Sequence, residues 1–98
     1  MKITSFYYLR YPDTLPADPL VAESEVYVEV GSEDGSTNQF DFTYTLTVCT
    51  IGFLKEHLRS YPYYAGQSVI VVERFADDLI AEALEKLLPD IDTIADKK

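Results

Sequence analysis

Apolar and polar positions alternate most clearly between residues 24 and 49. Val26, Val28 and Val30 alternate with Glu25, Tyr27 and Glu29; farther on, Phe40, Phe42, Tyr44, Leu46 and Val48 alternate with Asp41, Thr43, Thr45 and Thr47. Period-two patterning over two neighbouring runs predicts an antiparallel hairpin with one buried face. A two-residue Asp34-Gly35 turn would pair Val28 with Asp41, setting a buried residue against an exposed one, which the pleat forbids. A three-residue loop, Glu33-Asp34-Gly35 with Gly35 left-handed, closes Ser32 on Ser36 and restores the match. Val28 then faces Phe40 and Val26 faces Phe42. On the other side Glu29 meets Gln39, Tyr27 meets Asp41, and Glu25 meets Thr43.

Residues 2–9, KITSFYYL, read as a further strand, with Ile3, Ser5, Tyr7 and Leu9 on one face and Lys2, Thr4, Phe6 and Tyr8 on the other. Large groups on both faces leave its orientation open. Pro12, Pro16 and Pro19 predict a long loop from Tyr11 to Ala22. Thr50 is a candidate N-cap for a helix over IGFLKEHLRS, whose Ile51, Leu54 and Leu58 share a stripe. A tyrosine-rich connection, Tyr61 to Gly66, leads to QSVIVVERF (67–75). That run reads as a strand buried on both faces and therefore interior to the sheet. Asp77 and Asp78 suit the first turn of a second helix. Ile80, Ala83, Leu84, Leu87 and Leu88 form its apolar stripe, and Pro89 ends it.

The order strand-strand-strand-helix-strand-helix predicts one α+β domain over residues 1–88, with 89–98 as a C-terminal tail in which Ile91 and Ile94 could dock. The expected architecture is a largely antiparallel four-stranded sheet with two helices on one face. Such an arrangement leaves the Glu25–Tyr27–Glu29 side of the hairpin open.

Charge changes the picture more than composition does. Seventeen acids against eight bases give a net charge of −9, and no Lys or Arg lies between Arg10 and Lys55. This field repels nucleic acid and anionic membranes and attracts basic partners, although an acidic surface also serves solubility alone. Residues 1–20 carry no signal-peptide pattern, and the apolar run Val69 to Val72 is far short of the ~20 residues a membrane span needs. A single cysteine excludes an intramolecular disulfide, so a cytoplasmic location is expected.

Candidate catalytic chemistry is sparse. Cys49 precedes a helix N-terminus, where a thiol gains reactivity. His57, seven residues beyond Thr50, stands roughly 10 Å along the helix at ~1.5 Å per residue, beyond the ~3 Å reach of a nucleophile and its base. A small apolar cysteine at a strand end is the reading that fits. Zinc would want several Cys or His ligands, and one of each exists. Asp90, Asp92 and Asp96 lack the glycine and terminal Glu of a calcium loop. Glu25 and Glu29, about 13 Å apart at ~3.3 Å per residue, exceed glycosidase carboxylate separations. No catalytic residue, metal or cofactor is expected. Eight tyrosines without a tryptophan remain, and Tyr61, Tyr63 and Tyr64 cluster; such rings suit protein interfaces or pad a sheet edge.

The stretch FDFTYTLTVCTIGFLKEHL resembles immunity protein family eight of bacterial polymorphic toxin systems, whose strand of the form F-D-x-T-V-C-T-P-x-W-L runs into a helix. Thr47, Val48, Cys49, Thr50 and Leu54 stand at matching positions, and Phe40-Asp41 is similar to the family's F-D pair, with a longer intervening segment. Phe53 replaces the tryptophan and Ile51 the proline. The resemblance covers residues 24–88 and extends to the strand VIVVERF and the helix after it. It implies a small cytoplasmic bacterial protein that neutralises a cognate toxin by stoichiometric binding. The surface residues expected to meet a basic protein toxin are Glu25, Tyr27, Glu29, Glu33, Asp34 and Asp41, with Tyr61, Tyr63 and Tyr64 as aromatic anchors. Nucleic acid and membrane are not expected partners. The alternative is a structural or scaffold domain that forms a homodimer through its open face or an edge strand.

Overall fold

The computed structural model describes residues 2–11, 15–31, 42–65 and 68–97. The chain forms β1 (Lys2–Tyr8), β2 (Glu23–Gly31), β3 (Phe42–Thr50), α1 (Ile51–Ser60), β4 (Val69–Val72) and α2 (Asp77–Leu87). A 3-10 turn (Leu88–Asp90), a short α3 (Ile91–Ile94) and a two-residue β5 (Asp96–Lys97) follow, extending the expected order of elements. The fold is α+β, built on a sheet of order β1-β2-β3-β4. Among the described residues no helix is long and apolar enough to cross a membrane.

The sheet is mixed rather than largely antiparallel. β1–β2 and β2–β3 pair antiparallel, but β4 runs parallel to β3. A parallel neighbour needs a crossover, and α1 with the tyrosine-rich segment provides it. β5 pairs antiparallel with β3 at Tyr44 and Thr45, beside the Thr47–Thr50 stretch that holds β4. Two short strands thus share one border of β3. β4 is an edge strand, not an interior one, and its Val71 is 48% exposed. An apolar VIVV run marks burial in part, and here that burial comes from the α2 side.

The hairpin keeps the expected faces but not the expected register. Val26 pairs with Leu46, Val28 with Tyr44 and Val30 with Phe42; on the other side Glu25 meets Thr47, Tyr27 meets Thr45 and Glu29 meets Thr43. The proposed Glu33-Asp34-Gly35 loop lies outside the described residues, as do Glu33, Asp34 and Asp41. The observed register aligns two nine-residue strands along eight paired positions. It also puts Tyr44, Leu46 and Val48, all buried, opposite Val28, Val26 and the equally buried Ser24.

β1 departs from strict alternation. Ile3 pairs with Val30 and Ser5 with Glu29, so Thr4 is an extra residue in the ladder. The bulge lets Ile3, Phe6 and Tyr8 all join the core face, with Tyr7 exposed on the other.

The core lies between that face and α2. Val26, Val28, Val30, Tyr44, Leu46 and Val48 meet Phe75, Ile80, Leu84 and Leu88, joined by Ile91 and Ala95 from beyond Pro89. Ile91, one of the two tail residues placed to dock, is buried, and Ile94 is half-buried. The helices do not share one face. α1 contributes no buried side chain. Its Phe53 and His57 contact the Tyr64 ring, whose hydroxyl feels Glu23 and Cys49. Glu23 and Cys49 are paired in the ladder on the face opposite the valines. That face is therefore covered at its Cys49 end and open along Glu25, Tyr27 and Glu29.

The proline-rich segment is tied to the start of α1. A Cβ on Gly52 would overlap the Leu20 carbonyl oxygen and crowd Val21 Cγ2. Gly52→Ala is expected to push this segment off α1 and to lower stability by about 1–3 kcal/mol, as overpacking does, even though Ala favours the helix. Urea unfolding checks it: a variant as stable as the parent would show that the segment yields freely.

Candidate functional site

Alternation in β2 sends Glu23, Glu25, Tyr27 and Glu29 to the face away from the core, and β3 places Thr43, Thr45 and Thr47 beside them. Glu25 is exposed, whereas Tyr27, Glu29 and the threonines are half-buried. Glu29 is positioned by β1: its carboxylate accepts from Ser5 Oγ at 2.7 Å, and its backbone carbonyl from Thr4 Oγ1 at 3.0 Å. Tyr7 packs against Tyr27 with ring centroids 5.4 Å apart. At the opposite end, Arg10 Nη2 lies 3.3 Å from Glu23 Oε1. Arg10 is in turn held by its backbone N–H, which donates to Ser24 Oγ at 2.9 Å. Between these groups lies an open cleft of about 370 Å³, lined by Leu9, Arg10, Glu23, Glu25 and Thr47.

The tyrosine segment makes a second surface. His57 is its anchor: the ring stacks on Tyr61 at 5.0 Å and 26°, and meets Tyr64 edge-on at 5.2 Å and 89°. His57 Nε2 lies 3.2 Å from the Tyr63 carbonyl oxygen. A carbonyl can only accept, so this nitrogen carries the proton. Tyr61 and Tyr63 are 60% and 70% exposed, while Tyr64 is half-buried. Burial first, then the Glu23 and Cys49 charges and a hydrogen bond to Glu23, push the Tyr64 hydroxyl above its ordinary pKa. Tyr64 therefore links the tyrosine segment to the acidic row.

Of the expected contact residues, Glu25, Tyr27 and Glu29 share the open sheet face, and Tyr61, Tyr63 and Tyr64 flank its covered end. Glu33, Asp34 and Asp41 are outside the described residues. Glu23, Tyr7 and Arg10 complete the site and were not singled out by the sequence; His57, weighed there only as a partner for Cys49, joins them as the anchor of the tyrosines. Glu23 has the same parity as Glu25 and Glu29, so one further step of the alternation reaches it. Tyr7 depends on the bulge, and Arg10 and His57 on tertiary placement.

Cys49 is fully buried, and burial, helped by Glu23, pushes its thiol upward. It is therefore a neutral thiol near pH 7, a poor nucleophile. Among the described residues no group of three His, Cys, Asp or Glu side chains is placed to hold a metal ion. What the arrangement offers is fixed negative charge beside exposed aromatic rings. No protein-family model matches this chain, and no curated protein or solved structure matches it significantly.

Proposed function

We propose that this chain is a non-enzymatic binding protein that neutralises a basic bacterial protein toxin stoichiometrically, as an immunity protein of the cytoplasm. One observation carries this reading: Glu25 and Glu29 stand on an open sheet face, with Glu23 extending their row at its covered end, in a chain of net charge −9. The residues behind the family resemblance support the strand-helix junction: Thr50 caps α1 and Val48 is buried. The case for binding comes from the face itself. A nuclease or other toxin with a basic cleft would find there the charge pattern of its own substrate or surface partner.

Co-expression and titration with the product of an adjacent toxin gene test the proposal. A 1:1 complex with loss of toxicity is expected. Absence of a complex, or a homodimer by light scattering that outlasts addition of the toxin, would overturn it. Within such a complex, Glu25→Lys/Glu29→Lys should slow association by about tenfold at low salt, with a smaller change in dissociation, because charges outside the packed centre mainly steer encounter. The difference should shrink as salt is raised. Stopped-flow association measured with a variant of unchanged melting temperature checks it, and an unaltered rate removes this face from the account.

A further inference from the structure

At the C-terminal end of α1 a concavity of about 270 Å³ is walled by His57, Tyr61, Pro62, Tyr63, Tyr64 and Ala65. It is smaller than the usual ~300–1,000 Å³ of a small-molecule site, so it suits a single side chain. Its walls are aromatic and two of the rings are largely exposed. Tyr61, Tyr64 and His57 are also held by ring contacts. Tyr61 stacks on His57, Tyr64 stands perpendicular to it, and Phe53 supports Tyr64 from behind at 5.9 Å.

Two sources of negative potential meet here. Ring faces carry the negative side of the aromatic quadrupole. The helix ends here, with the Tyr61 N–H on the His57 carbonyl at 3.0 Å, and a helix C-terminus carries partial negative charge. The one base of the last turn besides His57 is Arg59, which pairs with Glu56 at 3.2 Å. Resting on the proposed capture of a basic protein, we infer that this pocket receives an arginine side chain of that partner. A planar guanidinium can lie on the outer face of the Tyr61 ring in the same stack that His57 begins. A compact ammonium gains less from flat walls.

The test uses the whole chain and a probe that needs no toxin: N-acetyl-arginine amide, against its neutral near-isostere N-acetyl-citrulline amide, titrated by NMR. Saturable shifts of the Tyr61 and Tyr63 ring signals are expected with arginine and not with citrulline. Both substitutions at exposed rings, Tyr61→Ala and Tyr63→Ala, should weaken the arginine response about threefold to fivefold each, the worth of one surface cation–aromatic contact. Tyr61→Phe should keep it. Equal shifts with citrulline, or no saturation, would overturn the inference. So would arginine shifts confined to Glu25 and Glu29; that outcome leaves the acidic-face proposal standing. Loss of the toxin complex with pocket binding intact would instead remove the function and keep the pocket.

Discussion

Truncating Phe75 to alanine should lower stability by about 3–5 kcal/mol, the usual cost of removing a buried aromatic ring. Phe75 is 1% exposed, and its ring meets Tyr8 at 4.8 Å and Tyr11 at 5.3 Å, both edge-to-face. Its backbone N–H donates to the Pro19 carbonyl at 2.7 Å. One residue therefore joins β1, the proline-rich segment and the approach to α2. Tyr8 makes the loss hard to absorb. Its hydroxyl donates to Asp77 Oδ1 at 2.6 Å, fixing the ring from the helix side, so it cannot swing into the cavity. Burial and Asp77 also push that hydroxyl's pKa up, so it stays a donor at any ordinary pH. A domain of this size has about 5–15 kcal/mol to lose, so urea denaturation should find the variant close to unfolding. Phe75→Leu, which keeps most of the volume, should cost about 1–2 kcal/mol. Equal losses in the two variants would mean that ring contacts do not hold this corner.

Thr50→Val should cost about 2–4 kcal/mol, more than an ordinary cap. The side chain is fully buried, and its Oγ1 accepts from Phe53 N at 3.1 Å and from Ala22 N at 3.1 Å. The same hydroxyl donates to the Leu20 carbonyl at 2.8 Å. A valine of the same shape removes the N-cap, worth about 1 kcal/mol. It also strands the buried Ala22 N–H, worth a further ~1–3 kcal/mol. The melting midpoint should fall by roughly 8–32 °C at ~4–8 °C per kcal/mol. Thr50→Ser keeps all three partners and should lose under about 1 kcal/mol. Calorimetry on the pair decides it: if valine and serine melt together, the hydroxyl is not the tie between the proline-rich segment and α1.

Features set by neighbours in sequence are legible in the sequence alone. The Thr50 cap, the acidic first turn of α2 and the Ile80–Leu84–Leu88 stripe depend on spacings of three and four residues, and all stand as read. Parity in β2 and β3 was legible for the same reason, and it placed Glu25, Tyr27 and Glu29 on the outer face. Register was not. Alternation is unchanged by any even shift, so it cannot separate Val28 against Phe40 from Val28 against Tyr44. The bulge at Thr4 was invisible because both faces of β1 carry large side chains. Nor could VIVV reveal an edge strand, since α2 and the residues around it cover β4 from one side. The parallel crossover through α1 followed from none of these patterns. With it went the linkage of Tyr64 to Glu23 and the anchoring of the tyrosines by His57.

The extra residue in β1 also sets where the chain can change length. Removing Thr4 would bring Ile3 directly beside Ser5 in a regular ladder, with Ile3, Phe6 and Tyr8 still directed inward. The loss would be the contact of its hydroxyl with the Glu29 carbonyl and the local twist. A deletion at Phe6 or Tyr7 would instead invert every side chain on one side of the gap. Insertions and deletions accumulating in descendants of this sequence should therefore concentrate at the fourth and fifth positions and spare the three that follow them.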